Sequence, residues 1–257
     1  MKTAEPGLSM QGNMDRGNMN PHLHKEVFGN PCMEYVNIPY SSCNLASVNL
    51  KKVVKNKKVN WGILKENIEL TFRFLDNMIT MNRLPLKKIK EVTKAIRPIG
   101  LGTMGFAQML YSLKIPYDSE ECLNFIDELY GYIDYQALEY NMKLAKERGI
   151  YPAWKGSKWE EQDLKIRCSS MTSIAPNGSI AFIANTTGGI EPQYALVYKR
   201  RDKENDEYLV TDDIFEDYLK ENNMFTDEIL NKIIDNKGSI KGLNDIISSN
   251  KYFLYFF

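Results

Sequence analysis

The sequence lacks the features that mark membrane, secreted and nucleic-acid-binding proteins. No apolar run approaches the ~18 residues needed to cross a bilayer. The polar N-terminus, Met1 to Asn20, has no apolar stretch of the kind a signal peptide needs. Cysteine is scarce: Cys32, Cys43, Cys122 and Cys168 are the four in 257 residues, too few and too scattered for a disulfide framework. A cytoplasmic protein with reduced thiols is expected. Charge of one sign is missing too. The 33 Lys and Arg balance 33 Asp and Glu, so no global field attracts nucleic acid or anionic lipid. A phosphorylated substrate would have to be held by local groups. Histidine occurs only as His22 and His24, which argues against a His-based nucleophilic triad. With Cys32 and Cys43 the two histidines form a poor zinc set, because short C-x-x-C-like ligand spacing is absent. No metal site is expected, and no internal repeat is present.

What remains is an ordinary soluble composition, 43% hydrophobic and 26% charged. Residues 1–60, rich in Asn, Pro, Met and Gly, read as loops and short strands. Ile63, Leu64, Ile68, Leu70, Phe72, Leu75 and Met78 recur at helical spacing in a segment that Pro85 ends. Residues 91–100 read as a strand leading into a turn, and 102–113 as a short helix. The longest helix is expected over 119–148, with Asp118 and Glu121 as a capping box and Gly149 as the C-terminal cap. Cys122 falls on its apolar side with Phe125, Leu129 and Ile133 and reads as a core thiol. Residues 170–175 read as a strand entering a turn, and helices follow near 214–221 and 226–234. Helices alternating with short strands give an α/β class. One domain is expected over 1–245. The aromatic run Tyr252-Phe253-Leu254-Tyr255-Phe256-Phe257 would then close an atypical tail, 246–257.

Three short segments carry side chains suited to chemistry. In Asn30-Pro31-Cys32-Met33-Glu34 the proline bars a regular helix, and an extended backbone would point Asn30, Cys32 and Glu34 to one face. That arrangement offers a thiol as nucleophile or hydrogen-atom donor, a carboxylate as proton acceptor and an amide that orients a hydroxyl. An ordinary loop remains the alternative. In Ser42-Cys43-Asn44-Leu45, Cys43 is either a second redox thiol or a strand residue facing a core. In Ala175-Pro176-Asn177-Gly178-Ser179, a strand and tight turn lead into a helix start, where free N–H groups and the helix dipole favour a phosphate. An ordinary turn with Ser179 as helix cap is the alternative. Gly100-Leu101-Gly102-Thr103-Met104-Gly105 fits the dinucleotide pattern G-x-G-x-x-G. The acidic residue that should end a second strand is missing, so this match is weak.

In order and wording these segments resemble the large, catalytic subunit of ribonucleotide reductases. The resemblance rests on Ala4-Glu5-Pro6-Gly7, Pro21-His22-Leu23, Asn30-Pro31-Cys32-Met33-Glu34 and Pro39-Tyr40-Ser41-Ser42-Cys43-Asn44-Leu45. It continues through Arg97-Pro98-Ile99-Gly100-Leu101-Gly102, Ser173-Ile174-Ala175-Pro176-Asn177-Gly178-Ser179, Gly189-Ile190-Glu191-Pro192 and Tyr198-Lys199-Arg200. The Asn-Pro-Cys-x-Glu form looks most like the adenosylcobalamin-dependent class.

The resemblance implies part of a ten-stranded α/β barrel, the second half-barrel without the first, with a central finger loop. Cys32 at the tip would become a thiyl radical and take the 3′ hydrogen of a ribonucleotide. Glu34 would remove the 3′-hydroxyl proton, and Asn30 would hydrogen-bond the substrate. Cys43 would be one of two thiols that reduce the 2′ position and end as a disulfide. Ala175, Pro176, Asn177, Gly178 and Ser179 would hold the substrate phosphates. Implied partners are adenosylcobalamin, a thioredoxin-like reductant and a separate N-terminal half of the enzyme. The alternative is a non-catalytic remnant or a binding-only fragment. Two departures stand out: Met33 replaces the common Gly, and Asn177 and Ser179 stand where Thr is usual.

Overall fold

The computed structural model describes residues 7–201, 204–243 and 246. The expected aromatic tail and the Ala4-Glu5-Pro6 segment lie outside the described residues. The chain begins with α1 (Gln11–Arg16), β1 (Phe28–Gly29), β2 (Val36–Asn37), β3 (Asn44–Asn49), β4 (Val54–Lys55) and β5 (Lys58–Val59). Next come α2 (Trp61–Met81), α3 (Lys87–Ile96), β6 (Pro98–Met104), α4 (Phe106–Leu113), α5 (Glu120–Arg148) and α6 (Lys158–Glu161). The remainder is β7 (Ser170–Thr172), α7 (Gly178–Ile183), β8 (Val197–Arg201), β9 (Glu207–Thr211), α8 (Asp213–Glu221) and α9 (Asp227–Asp235). Strands β3, β6 and β7 form a three-stranded sheet in that order, and the other strands pair as β1–β2, β4–β5 and β8–β9. The described residues thus hold α/β architecture with a parallel β6–β7 pair and no closed barrel. No described helix is long and apolar enough to cross a membrane.

Several elements follow directly from the sequence pattern. In α2 the side chains of Leu64, Ile68, Phe72, Leu75 and Ile79 are all buried, a stripe of four- and three-residue steps. Leu70, included above in the apolar pattern, is 70% exposed and lies off that stripe. Helix α5 ends at Gly149, which is left-handed and donates its N–H to the Ala145 carbonyl. Its N-terminal cap is Ser119, whose Oγ accepts from the Cys122 N–H at 3.1 Å, and not the expected Asp118–Glu121 box. Cys122 is buried, as a core thiol should be.

The expected strand over 91–100 is overturned. Most of it is the end of α3, because Ile89, Val92 and Ile96 repeat at helical spacing and Thr93 and Ile96 face the core. Arg97 closes the helix in a left-handed conformation, and the strand starts only at Pro98. Proline is tolerated there because a first strand residue need not donate to the ladder. The expected helix over 102–113 begins at Phe106, since Gly102 to Met104 continue β6. Gly100 and Gly102 therefore lie inside a strand and form no phosphate loop. A Cβ at Gly100 would sit 2.4 Å from Leu45 Cδ2 and 2.9 Å from Ser173 Cβ, and one at Gly102 would sit 2.8 Å from the Ser173 carbonyl oxygen. These glycines allow close strand packing, which removes the dinucleotide reading.

Contacts divide the chain into two compact units. The first holds Met1–Val48, Lys65–Gly102 and Tyr132–Pro176. Its small apolar cluster joins Val27, Ile38 and Ile96. Its polar centre is Asp76, fully buried, which pairs with Arg97, with Arg148 at 2.9 Å and with Arg167 at 3.1 Å. Burial works to raise the Asp76 pKa, but the three guanidinium groups together hold it below the usual carboxylate range. Asn141 completes the cluster by accepting from the Arg167 and Cys168 N–H groups and donating to the Cys168 carbonyl. Because Arg97 immediately precedes β6 and Arg167 lies just before β7, the cluster fixes the starts of both parallel strands.

The second unit holds Asn49–Leu64, Thr103–Gly131 and Asn177–Phe257. Ala107 and Tyr111 of α4 pack with Leu196, Val197, Phe215, Leu219, Leu230 and Ile233. Gln108 is buried in this core. Its Nε2 donates to Asp212 Oδ2, and its Oε1 accepts from the Thr187 N–H at 3.3 Å. Asp212 caps α8 by accepting from the Phe215 N–H at 3.0 Å. The β8–β9 hairpin was not expected from the sequence.

Candidate functional site

The thiol segment is the tip of a hairpin. β1 and β2 pair antiparallel, with Gly29 opposite Val36. Asn30 closes the tip twice: its N–H donates to the Tyr35 carbonyl, and its Oδ1 accepts from the Tyr35 N–H, both at 3.1 Å. The Met33 N–H donates back to the Asn30 carbonyl at 3.0 Å, and Met33 has φ of 62°. The tip is therefore a turn. The loop alternative for this segment is what forms, and the one-face alternation of an extended backbone is not realised. Asn30, Cys32 and Glu34 are instead displayed by a loop, in which the Asn30 side-chain oxygen is engaged by the backbone.

The bulky residue at position 33 finds room. Its side chain folds over Gly29, where a Cβ would lie 2.3 Å from the Met33 sulfur. Any larger residue at 29 would displace it. Cys32 is exposed. Glu34 is half-buried, and its Oε2 is shut off from water with no hydrogen-bond partner among the described residues. The Glu34 carbonyl accepts from Ser173 Oγ at 2.8 Å.

Cys43 belongs to the same unit. It immediately precedes β3, is half-buried, and packs over Gly100, where a Cβ would lie 3.4 Å from its sulfur. Burial, with a smaller contribution from the nearby Glu34 carboxylate, pushes its thiol up to about 12. Cys43 is thus a protonated thiol at neutral pH. Tyr35 is also raised well above the ordinary phenol value, first by burial, with Cys43 among its neighbours. Cys43 thus borders a strand and feels the Glu34 charge.

The Ala175–Ser179 segment leaves β7 and enters α7. Ala175 is buried, Pro176, Gly178 and Ser179 are exposed, and Asn177 is half-buried. Asn177 occupies the N-cap position in a left-handed conformation, with φ of 57°, so the alternative of Ser179 as the cap is set aside. The Asn177 Nδ2 donates to the Thr103 carbonyl at 2.8 Å, fixing the turn. No side chain caps α7, and a Cβ at Gly178 would meet nothing within 4 Å. The first-turn N–H groups of a helix have no intrahelical partner. The unit boundary falls inside this segment, between Pro176 and Asn177.

Within the first unit Asn30, Cys32 and Glu34 share the hairpin tip, and the Glu34 charge acts on the Cys43 thiol. Sequence reasoning placed Ser173 in the Ser173–Ser179 stretch but gave it no role; its contact with the Glu34 backbone joins residues 139 positions apart, and only the fold reveals it. Among the described residues no group of three or more His, Cys, Asp and Glu side chains could hold a metal ion.

Comparison with known proteins identifies the family. The ribonucleotide reductase barrel domain matches residues 1–168 and 164–255. A vitamin B12-dependent ribonucleoside-diphosphate reductase from Thermoplasma acidophilum is 40% identical over 91% of this chain and 31% of its own length. One from Mycobacterium tuberculosis is 35% identical over 93% of this chain and 34% of its own. The chain spans about a third of the length of these relatives. A class Id ribonucleotide reductase alpha subunit from Actinobacillus ureae has the same fold over 99% of this chain and 47% of its own, with a TM-score of 0.77 at 22% identity. The sequence match runs across the hairpin tip, β6 and the Ala175–Ser179 turn alike: the chain belongs to the ribonucleotide reductase barrel-domain family.

Proposed function

We propose that this chain carries the radical-initiating part of a ribonucleotide reductase, converting ribonucleotides to deoxyribonucleotides for DNA synthesis in the cytosol. The carrying observation is the hairpin tip: an accessible thiol two residues from a carboxylate whose Oε2 is shielded and unpaired.

In this reading Cys32, as a thiyl radical, takes the 3′ hydrogen of the sugar. Glu34 accepts the proton of the 3′-hydroxyl, a step an unpaired carboxylate oxygen suits because no other hydrogen bond must first break. Asn30 hydrogen-bonds the substrate through the Nδ2 that the loop backbone leaves unused, since the loop takes up its Oδ1. The 2′-hydroxyl leaves as water. Cys43 and a second thiol outside this chain supply two electrons and two protons and become a disulfide, and Cys32 returns its hydrogen to C3′. A raised pKa suits Cys43 to this role, because it must arrive as a protonated thiol able to give hydrogen. A thioredoxin-like donor would then reduce the disulfide. The backbone N–H groups at the start of α7, in the turn from Ala175 to Ser179, would hold the substrate phosphates.

Relatives named for vitamin B12 make adenosylcobalamin the radical source of choice, and when bound it supplies the oxidation of the Cys32 thiol to a radical. The chain fits that chemistry at the point the structure describes: the thiol is open to an external oxidant. Cys32 is the residue that would face the cofactor.

Because the chain spans about a third of its relatives, we propose that turnover needs the rest of the reductase in trans. The test combines the chain with ribonucleotide, adenosylcobalamin and a dithiol, with and without a polypeptide supplying the remaining barrel. Deoxyribonucleotide is expected only in the combined sample. Full turnover by the chain alone would overturn the need for a second piece, and none in either sample would overturn the catalytic role.

A further inference from the structure

The residue holding the candidate base in place is outside the three sequence segments. Ser173 follows β7 and extends its pairing, its N–H donating to the Leu101 carbonyl at 3.0 Å. Its hydroxyl donates 2.8 Å to the Glu34 carbonyl, across 139 positions of sequence. Its Cβ presses on the space over Gly100, the same space that the Cys43 sulfur borders. One serine just after β7 thus touches the backbone of the carboxylate residue and shares a packing site with the second thiol. The hairpin tip is otherwise held largely by itself, through the Asn30–Tyr35 and Met33–Asn30 bonds. A loop closed by its own short-range bonds keeps its shape, and beyond the packing of Tyr35 and Val36 the Ser173 hydroxyl ties the Glu34 backbone to the strand pair.

We infer that Ser173 is a positioning residue that anchors the thiol loop to the β6–β7 pair and keeps the Glu34 carboxylate beside Cys43. This rests on the reading of Glu34 as the base. The arrangement is independent of turnover, however, and can be tested without it. Glu34 is the neighbouring charge that raises Cys43 beyond the effect of burial. If Ser173 releases the loop, Glu34 moves toward water and Cys43 becomes a better thiolate, since the thiolate is the reactive form.

The experiment measures alkylation by iodoacetamide at each cysteine of the full chain across pH 7–10, with peptides resolved by mass spectrometry. Ser173→Ala is compared with Ser173→Thr, which keeps the hydroxyl. Buried Cys122 and Cys168 report whether the fold is intact. For Ser173→Ala, Cys43 labelling at pH 8 should rise about threefold or more, because the thiolate is the reactive form. Cys122 and Cys168 should stay protected, and Ser173→Thr should behave as the parent does. Unchanged Cys43 labelling in Ser173→Ala would overturn the inference. So would a Ser173→Thr chain that labels like the alanine variant. Labelling of Cys122 and Cys168 in Ser173→Ala would also overturn it, by showing that the serine supports the whole fold. A chain that never reduces a nucleotide still returns one of these answers, so failure of the proposed function is told apart from failure of this inference.

Discussion

Asp76 and Glu34 lie in the same unit, and each shuts carboxylate oxygen away from water, yet their surroundings differ. Asp76 is enclosed by Arg97, Arg148 and Arg167 and helps fix the starts of β6 and β7. Glu34 sits on a hairpin tip with its Oε2 unpaired among the described residues and an exposed thiol two positions away. A buried carboxylate without partners is costly, so a structural one is surrounded by donors. One left with an unpaired oxygen keeps an acceptor free for a proton. The contrast separates support from chemistry using two residues of nearly the same kind.

The largest effect should come from Asp76→Ala. It leaves a cluster of guanidinium groups without their shared partner and should cost about 3–5 kcal/mol, read as a lower urea midpoint by circular dichroism. The matching pH dependence has a definite sign. The folded-state pKa of Asp76 lies below its unfolded value, so its stabilisation is present above the ordinary carboxylate range. It is lost as pH falls through the folded pKa, and Asp76→Asn should flatten that acid limb.

Gly100→Ala tests the packing between the two sites. The new Cβ meets Leu45 and Ser173 inside van der Waals contact, and overpacking of this kind typically costs about 1–3 kcal/mol. Thermal unfolding measures it. A smaller effect is expected at alkaline pH. Cys43 is raised from 9.0 to about 12, so the folded chain holds this proton where the unfolded chain has lost it. Stability should therefore fall as pH rises from about 9 toward about 12, and Cys43→Ser should reduce that slope in denaturant titrations. Glu34→Gln should change stability least, by less than about 1 kcal/mol, because no hydrogen bond to Oε2 is lost. Turnover of the completed enzyme should nevertheless drop by about 10²–10⁴-fold if Glu34 is the base. A large loss of stability in Glu34→Gln would make it a second Asp76 and erase the contrast.

How much of this was legible in the sequence depended on the range of the interactions. Helices α2, α5, α8 and α9 announced themselves through local apolar spacing and caps, and Gly149 ended α5 where expected. Helix α3 was missed because β-branched Val92, Thr93 and Ile96 suggested a strand, while tertiary burial of Thr93 and Ile96 selected the helical period. The β8–β9 hairpin was hidden by charge, since Lys199, Arg200, Arg201 and Glu207 break the alternation that marks a strand. The thiol, the carboxylate and the second cysteine were legible as residue types. That the first two sit on a loop was legible from Pro31, but the left-handed turn at Met33 that displays them was not. The Asp76 cluster and the contact of Ser173 with Glu34 were beyond reach, since the partners lie tens of residues apart and only the fold joins them.

The central claim is that the Cys32 sulfur begins the chemistry, and one comparison tests it most directly. The chain completed with the remaining reductase is assayed for deoxyribonucleotide formation as the parent and as Cys32→Ser, with Cys122→Ala as a control for loss of a buried thiol. The expected result is product from the parent and the control and none above background from Cys32→Ser. Because Cys32 is exposed, the variant should fold as the parent does. Product from a folded Cys32→Ser chain at a rate close to the parent's would contradict the claim outright.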